Sequence, residues 1–143
     1  MNPLRVPYKV VDGIEIPTDI HVPASPPAGR SQAPVLLMFH GGGFMLGHAR
    51  MNNKDQIEDC LQRGWIVLSL EYRLCPGVNV LKGPMADARD ALKWVQSGLA
   101  TAMNNASSSI TPDVDRIMAM GASAGGHLAL SLVSHTLFHI TYS

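Results

Sequence analysis

Three continuous apolar runs punctuate the chain. They are VLLMFH at 35–40, WIVLSLEY at 65–72 and RIMAM at 116–120. Because apolar and polar residues do not alternate within them, the pattern predicts three strands that are buried on both faces of a parallel sheet.

Segments with helical features separate and follow these runs. Residues 53–63 end at Gly64, which is a common helix stop, and residues 124–133 are apolar nearly all round, which predicts a buried helix. Residues 84–99 begin with proline and predict a helix with one apolar face, whereas 104–113 predict a polar loop. That apolar face is formed by Met85, Ala88, Leu92, Val95 and Leu99.

The order of the predicted elements indicates the fold class. Residues 8–22 hold two β-rich runs around Asp12-Gly13, which predicts a hairpin. Strands and helices then alternate, which predicts an α/β fold with parallel strands, right-handed crossovers and helices on both faces. We interpret 1–143 as a single domain.

Composition excludes several classes of function. Of the 143 residues 46% are hydrophobic, and 11 basic side chains balance 11 acidic ones, so nothing favours nucleic acid or a polyacidic partner. No run is long enough to cross a membrane, and the N-terminus lacks the apolar core of a secretory signal. Two cysteines make no disulfide framework. We therefore expect a cytoplasmic protein.

A serine lies between the third apolar run and the last predicted helix. Gly121-Ala122-Ser123-Ala124-Gly125 fits the G-x-S-x-G pattern, in which a tight strand-to-helix turn exposes a nucleophilic hydroxyl. A turn built from small residues for structural reasons alone is the alternative. The position between a strand and a helix favours the catalytic interpretation.

A glycine-rich loop follows the first apolar run. His40-Gly41-Gly42-Gly43-Phe44 can direct backbone N–H groups into one cavity and stabilise an oxyanion. A phosphate cradle is disfavoured, because no Gly-Lys-Ser/Thr follows and no helix starts at once. A structural glycine turn is the remaining alternative.

Taken together, these segments resemble the α/β-hydrolase fold, and within it the hormone-sensitive-lipase-like esterases. The resemblance spans about residues 30–133. It rests on HGGGF at 40–44, EYRLCPG at 71–77, ADARDALKWV at 86–95 and DRIMAMGASAGGHLAL at 115–130.

The resemblance implies a role for each motif. Ser123 would be the nucleophile that attacks a small-molecule carboxylic ester, and Ala124 with Gly42, Gly43 and Gly41 would form the oxyanion hole, with no metal and no cofactor. Three positions depart from the family pattern. They are Ala122 where the family has aspartate, Cys75 where it has alanine, and Gly77 where it has glutamate.

The other half of a catalytic triad has no counterpart in this sequence. In this fold the acid and the histidine follow the serine, yet no Asp or Glu follows Ser123. His127 lies one turn into the predicted last helix and would point with that helix rather than over the serine. His135 and His139 have the i, i+4 spacing of a metal pair, but with no third ligand nearby they are interpreted as tail sequence. Neither the triad acid nor its histidine is therefore assigned. Since loss of the base costs a serine hydrolase about 10⁶ in kcat, we expect this chain to be a very poor enzyme.

The same comparison predicts a truncated fold that lacks the family's last strands. The 116–120 strand would become a sheet edge, through which we expect self-association. Residues 134–143 show no recognisable pattern and are interpreted as a non-native or disordered tail. A non-catalytic small-molecule-binding protein and a functionless fragment are the alternatives to an esterase.

Overall fold

The predicted N-terminal hairpin is present. The computed structural model describes residues 2–140, with side chains for 2–133. Strands β1 (Leu4–Val11) and β2 (Ile14–His21) pair antiparallel. Asp12 and Gly13 connect them with φ angles of 51° and 77°, the left-handed conformation that a two-residue hairpin turn requires.

Five strands form one mixed sheet in the order β1-β2-β4-β3-β5. The remaining strands are β3 (Gln32–Phe39), β4 (Ile66–Leu70) and β5 (Thr111–Gly121). Strand β3 is parallel to both β4 and β5, whereas β2 pairs antiparallel with β4. The hairpin therefore extends the core of parallel strands.

Helices cover both faces of this sheet. They are α1 (Lys54–Gln62), α2 (Pro84–Ser97), α3 (Leu99–Asn105) and α4 (Ala124–Ile140), with a short 3₁₀ turn at Ala49–Met51. Alternate residues of β3 pack on opposite sides. Leu36 and Met38 contact the α1 side, and the side of α2, α3 and α4 receives Val35, Leu37 and Phe39.

Several predicted helix boundaries are correct and one is wrong. Asn53 caps α1 by accepting hydrogen bonds from two backbone N–H groups, and Gly64 follows the helix with φ of 80°. The predicted helix 84–99 ends earlier, at Ser97. A second short helix then fills the start of the predicted 104–113 loop, because Leu99 and Met103 are fully buried. The end of that loop is also wrong, since β5 begins at Thr111 rather than at the predicted 116.

The third apolar run is a strand, but the prediction that it is buried on both faces is wrong. Within β5, Arg116 and Met118 are exposed and Ile117, Ala119 and Met120 are only half-buried. The physical reason is position: in the described sheet β5 has a neighbour on one side only. The expectation that this strand forms a sheet edge is met.

The last helix is likewise less covered than predicted. Ala124, Leu128, Ala129 and Leu132 are buried, but Leu130 is 73% and Val133 is 56% exposed. One face of α4 packs on the sheet and the other faces solvent. The helical backbone continues to Ile140, into a segment without a recognisable sequence pattern. The side chains of 134–140 and all of 141–143 lie outside the described residues, so the predicted tail remains a prediction.

Candidate active site

Ser123 lies in the turn that joins β5 to α4. Its φ angle is 53°, a left-handed conformation that costs a non-glycine residue energy and is characteristic of a nucleophile turn. The Gly125 N–H donates to the Ala122 carbonyl at 2.9 Å, and the His127 N–H donates to the Ser123 carbonyl at 3.1 Å. The turn is therefore tight, and the serine side chain is exposed.

The two glycines of the motif allow close packing between backbone segments. A Cβ atom on Gly121 would overlap the backbone of Gly125 and lie 2.7 Å from the Phe39 carbonyl oxygen. A Cβ on Gly125 would overlap that same oxygen and lie 2.6 Å from the His40 carbonyl oxygen. Glycine at these positions lets the start of α4 contact the end of β3.

The glycine loop leaves the end of β3 beside this turn. Gly42, Gly43 and Phe44 have φ angles of 128°, 62° and 63°, and the Met45 and Leu46 N–H groups both donate to the Gly42 carbonyl at 3.1 Å. A Cβ on Gly42 would overlap the Leu46 carbonyl oxygen. The glycines are thus required by the folded shape of the loop.

Gly41 brings the loop and the serine together. A Cβ placed on Gly41 would lie 3.0 Å from the Ala122 carbonyl oxygen and 3.6 Å from the Cβ of Ser123. The glycine loop and the start of α4 therefore flank the same serine. Two backbone segments that flank one serine are where an oxyanion hole would have its N–H donors.

The His40 ring contacts both Tyr72 and the backbone of the glycine loop. Its ring stacks on Tyr72 with centroids 4.2 Å apart, and Tyr72 donates its hydroxyl to the His40 carbonyl at 2.7 Å. The His40 Nδ1 lies 2.7 Å from the Gly41 carbonyl oxygen, which can only accept, so this nitrogen carries a proton. Burial lowers the pKa of His40, which keeps its ring neutral near pH 7.

The segment after β4 is tied to the glycine loop. The Cys75 N–H donates to the Phe44 carbonyl at 2.8 Å, so the backbone at the position where the family pattern has alanine contacts the loop. The Cys75–Pro76 peptide bond is cis. Gly77 is exposed and has no close side-chain neighbour.

A buried carboxylate, which the sequence did not reveal as a functional centre, anchors the same segment. Asp87 on α2 is fully buried; it accepts from the Arg73 N–H at 2.8 Å and from its guanidinium, and it pairs with Lys9 at 2.7 Å. No sequence motif marks Asp87 for this role. The available signal was its place beside Ala88 and Ala91, on the face of α2 that is buried.

No described side chain acts as a base toward Ser123. Within residues 2–133, the structure shows no hydrogen bond from the Ser123 hydroxyl to a histidine or carboxylate. His127 is exposed and makes an edge contact with Phe44, their ring centroids being 5.9 Å apart. The side chains of His135 and His139 lie outside the described residues. The structure thus brings the predicted nucleophile and glycine loop together, without a base.

No group of three histidine, cysteine or acidic side chains among the described residues is arranged to hold a metal ion. None of the helices described is both long and apolar enough to span a membrane.

Comparison with known proteins agrees with this geometry. The BD-FAE family model, which describes an α/β-hydrolase-type esterase domain, matches residues 18–137. Among solved structures, the thermophilic esterase Est2 from Thermogutta terrifontis superposes with a TM-score of 0.69 at 27% identity, covering 90% of this chain and 42% of the esterase. The form of that enzyme phosphonylated by cyclosarin gives 28% identity and the same TM-score, with 89% and 45% covered.

The regions of the curated relatives that match this chain are short segments of far longer proteins. A non-reducing polyketide synthase of Acremonium egyptiacum is 43% identical over 124 residues, which is 87% of this chain and 6% of the synthase. A non-reducing polyketide synthase of Preussia isomera is 42% identical over 127 residues, with 89% and 6% covered. The chain thus spans about a twentieth of the curated relatives that it matches, and under half of the solved esterases.

Proposed function

This chain belongs to the BD-FAE family of α/β-hydrolase-type esterase domains, and we propose that it carries the nucleophile and the oxyanion loop of a carboxylic-ester hydrolase. The observation that supports this most is the strained Ser123, φ 53°, with the glycine loop packed against it. The proposed substrate is a small-molecule ester.

The proposed chemistry is acyl transfer to water in two steps. The Ser123 oxygen attacks the ester carbonyl carbon, the bond to the alcohol oxygen breaks, and the alcohol leaves with the proton that a base took from the serine. Water then attacks the acyl-serine and releases the acid. The N–H groups of Ala124, Gly42 and Gly43 would stabilise the negative oxygen in both steps.

The missing base sets the expected rate. With no base at Ser123, an oxyanion hole retains only about 10³ to 10⁴ of acceleration over water. We propose that these 143 residues alone are a slow hydrolase and that a base supplied from elsewhere would restore turnover. A binding protein with an inactive serine is the competing proposal.

Imidazole supplied in solution separates these proposals. The chain, Ser123→Ala and the control Ser109→Ala, an exposed loop serine, are incubated with p-nitrophenyl acetate over a range of imidazole concentrations. We expect imidazole to produce acyl-protein, seen by intact mass, in the chain and in Ser109→Ala but not in Ser123→Ala. Equal acylation of all three proteins would contradict a nucleophilic Ser123.

The polyketide synthase relatives favour one particular acyl group. Since 43% identity joins this chain to a segment of such a synthase, a polyketide acyl ester is a second candidate substrate. The same assay tests it when p-nitrophenyl acetate is replaced by an aryl ester of a short β-keto acid. A higher acylation rate of Ser123 with the keto acid is expected, and a lower rate would argue against this substrate.

A further inference from the structure

A cavity of about 800 Å³ lies on the α1 side of the sheet, away from the motifs described above. Its wall is formed by the 3₁₀ turn, by α1, by the N-terminus and by the outward residues of β2 and β4. None of the residues of the glycine loop or of the Ser123 turn lines it. The polar and charged side chains that do are Asn2, His21, Arg50, Asn52, Lys54, Glu58 and Ser69.

Ser69 supplies the observation that points to a ligand. It is 1% exposed, and its hydroxyl oxygen is fully buried with no hydrogen-bond partner in the structure. Buried hydroxyl groups in folded proteins are nearly always paired, with protein or with a bound molecule. Since Ser69 lines the cavity, a molecule in the cavity can supply the missing partner.

Charges at the cavity favour an anion. Arg50 and Lys54 are exposed, and neither makes an ion pair with any side chain among residues 2–133. Glu58 is the one acidic residue in the lining. Burial lowers the pKa of His21, so its ring is neutral near pH 7. Two cations and one carboxylate leave one net positive charge, which suits a singly charged head group.

The rest of the wall is apolar. Ala49, Ile57 and Leu61 line the cavity beside the polar groups. A second cavity of about 440 Å³ shares His21 and Leu61 with it and continues past Ile20, Met103 and Ile110, which are buried apolar side chains. A ligand with an apolar chain would find cover there.

We propose that this cavity binds a carboxylate with an apolar chain, its head group near Arg50 and Lys54 and within reach of the Ser69 hydroxyl. The site is independent of ester hydrolysis, because it uses no residue of the Ser123 region.

Calorimetric titration of octanoate into the Ser123→Ala chain at pH 7 tests this proposal without interference from turnover. We expect octanoate to bind, and octanol and inorganic phosphate to bind at least tenfold more weakly, because the first lacks the charge and the second lacks the chain. Equal binding of octanol or of phosphate, or no binding of octanoate, would overturn the proposal, and in the last case water would satisfy Ser69.

Variants then locate the site. Arg50→Gln and Lys54→Gln are surface changes that leave the fold intact, and each should weaken octanoate binding about two- to fivefold. Glu58→Gln should strengthen it, since it removes a like charge. Ser69→Ala should weaken binding, whereas Lys82→Gln, an exposed cation elsewhere, should not change it. If Glu58→Gln and Lys54→Gln leave the affinity unchanged, octanoate binds elsewhere and the proposal fails.

Discussion

Strands β3 and β5 are neighbours that carry the two halves of the candidate site, yet they differ in how they are held. Seven of the eight β3 residues are buried, whereas β5 is mostly half-buried or exposed and Met118 is 37% exposed. Strand β3 lies between β4 and β5, while the described sheet ends at β5. The glycine loop is thus attached to a fully packed strand and the Ser123 turn to an edge.

Polar contacts reinforce the same difference. On the β3 side, His40 and Tyr72 form a stacked, hydrogen-bonded pair, and Asp87 joins α2 to Arg73 and Lys9. The Ser123 turn depends instead on close backbone packing at Gly121 and Gly125. The two halves of one site can therefore rest on different forces, and each force can be removed separately.

The largest effect is expected from Asp87→Ala, which acts on the packed side. The substitution leaves Arg73 and Lys9 without the buried carboxylate that both contact, and breaking such a pair costs about 3–5 kcal/mol. Urea unfolding followed by circular dichroism measures the free energy of unfolding. The change should destabilise the whole domain.

Asp90→Asn is the matched control on the same helix. Asp90 pairs with Lys9 and Lys93, but its side chain is 39% exposed, so the loss should be less than about 1 kcal/mol. Equal losses for Asp87→Ala and Asp90→Asn would mean that burial does not decide the strength of this network.

The second-largest effect is expected from Gly125→Ala, which acts where the start of α4 packs against the end of β3. The added methyl group would overlap the Phe39 carbonyl oxygen, so α4 or β3 must shift, at a cost of about 1–3 kcal/mol. Ser123 would move with α4, and imidazole-dependent acylation should fall together with stability.

Gly126→Ala provides the control for this change. A Cβ on Gly126 would lie 3.0 Å from the Gly121 carbonyl oxygen, a milder contact, and alanine favours the helix. Acylation of Ser123 should therefore fall less in Gly126→Ala than in Gly125→Ala. A reversed order would show that the approach of α4 to β3 does not position the serine.

The sequence predicted the strands, the hairpin and the position of the serine turn well. Apolar runs and glycine spacing are local signals, and both follow directly from the chain. The sequence could not show how many neighbouring strands each strand has. RIMAM and VLLMFH are both continuous apolar runs, but only VLLMFH is buried on both faces. Pairing between distant segments decides that difference.

The supporting groups of the site were harder to predict for a related reason. Asp87 and Lys9 are 78 residues apart in sequence, and His40 and Tyr72 are 32 apart. A single sequence shows neither contact. The resemblance supplied the roles of Ser123 and the glycine loop, while the structure supplied the ion pairs and the stacked ring that hold the loop.

Because β5 is an exposed sheet edge, we expect the chain to self-associate through it. One added charge on β5 should weaken that association. We expect Met118→Lys to shift the chain toward monomer, by about tenfold in the dissociation constant measured by analytical ultracentrifugation, because like charges would face each other across paired β5 edges. Val10→Lys is the control at the opposite edge, where Val10 is 60% exposed. If Val10→Lys has the larger effect, β1 is the associating edge, and the exposure of β5 does not drive self-association.

The smallest effect concerns pH and the His40 ring. Burial lowers the pKa of His40 in the folded protein, so the unfolded chain binds a proton more readily. Stability from the neutral ring is therefore present above the ordinary value of 6.5 and is lost as pH falls below it. His21 is shifted in the same direction for the same reason, so the chain should lose stability between pH 7 and pH 5.

His40→Phe sharpens this test, because it keeps an aromatic ring against Tyr72 but cannot titrate. The free energy of unfolding should fall less steeply with acid in His40→Phe than in the parent chain, and His21→Asn should remove a separate part of the slope. Glu71 lies 4.0 Å from the His40 ring and favours its protonated form, which opposes burial. If the free energy of unfolding falls with acid equally in His40→Phe and in the parent chain, Glu71 cancels the effect of burial on His40. In that case Glu71→Gln, made in the parent chain, should steepen the fall.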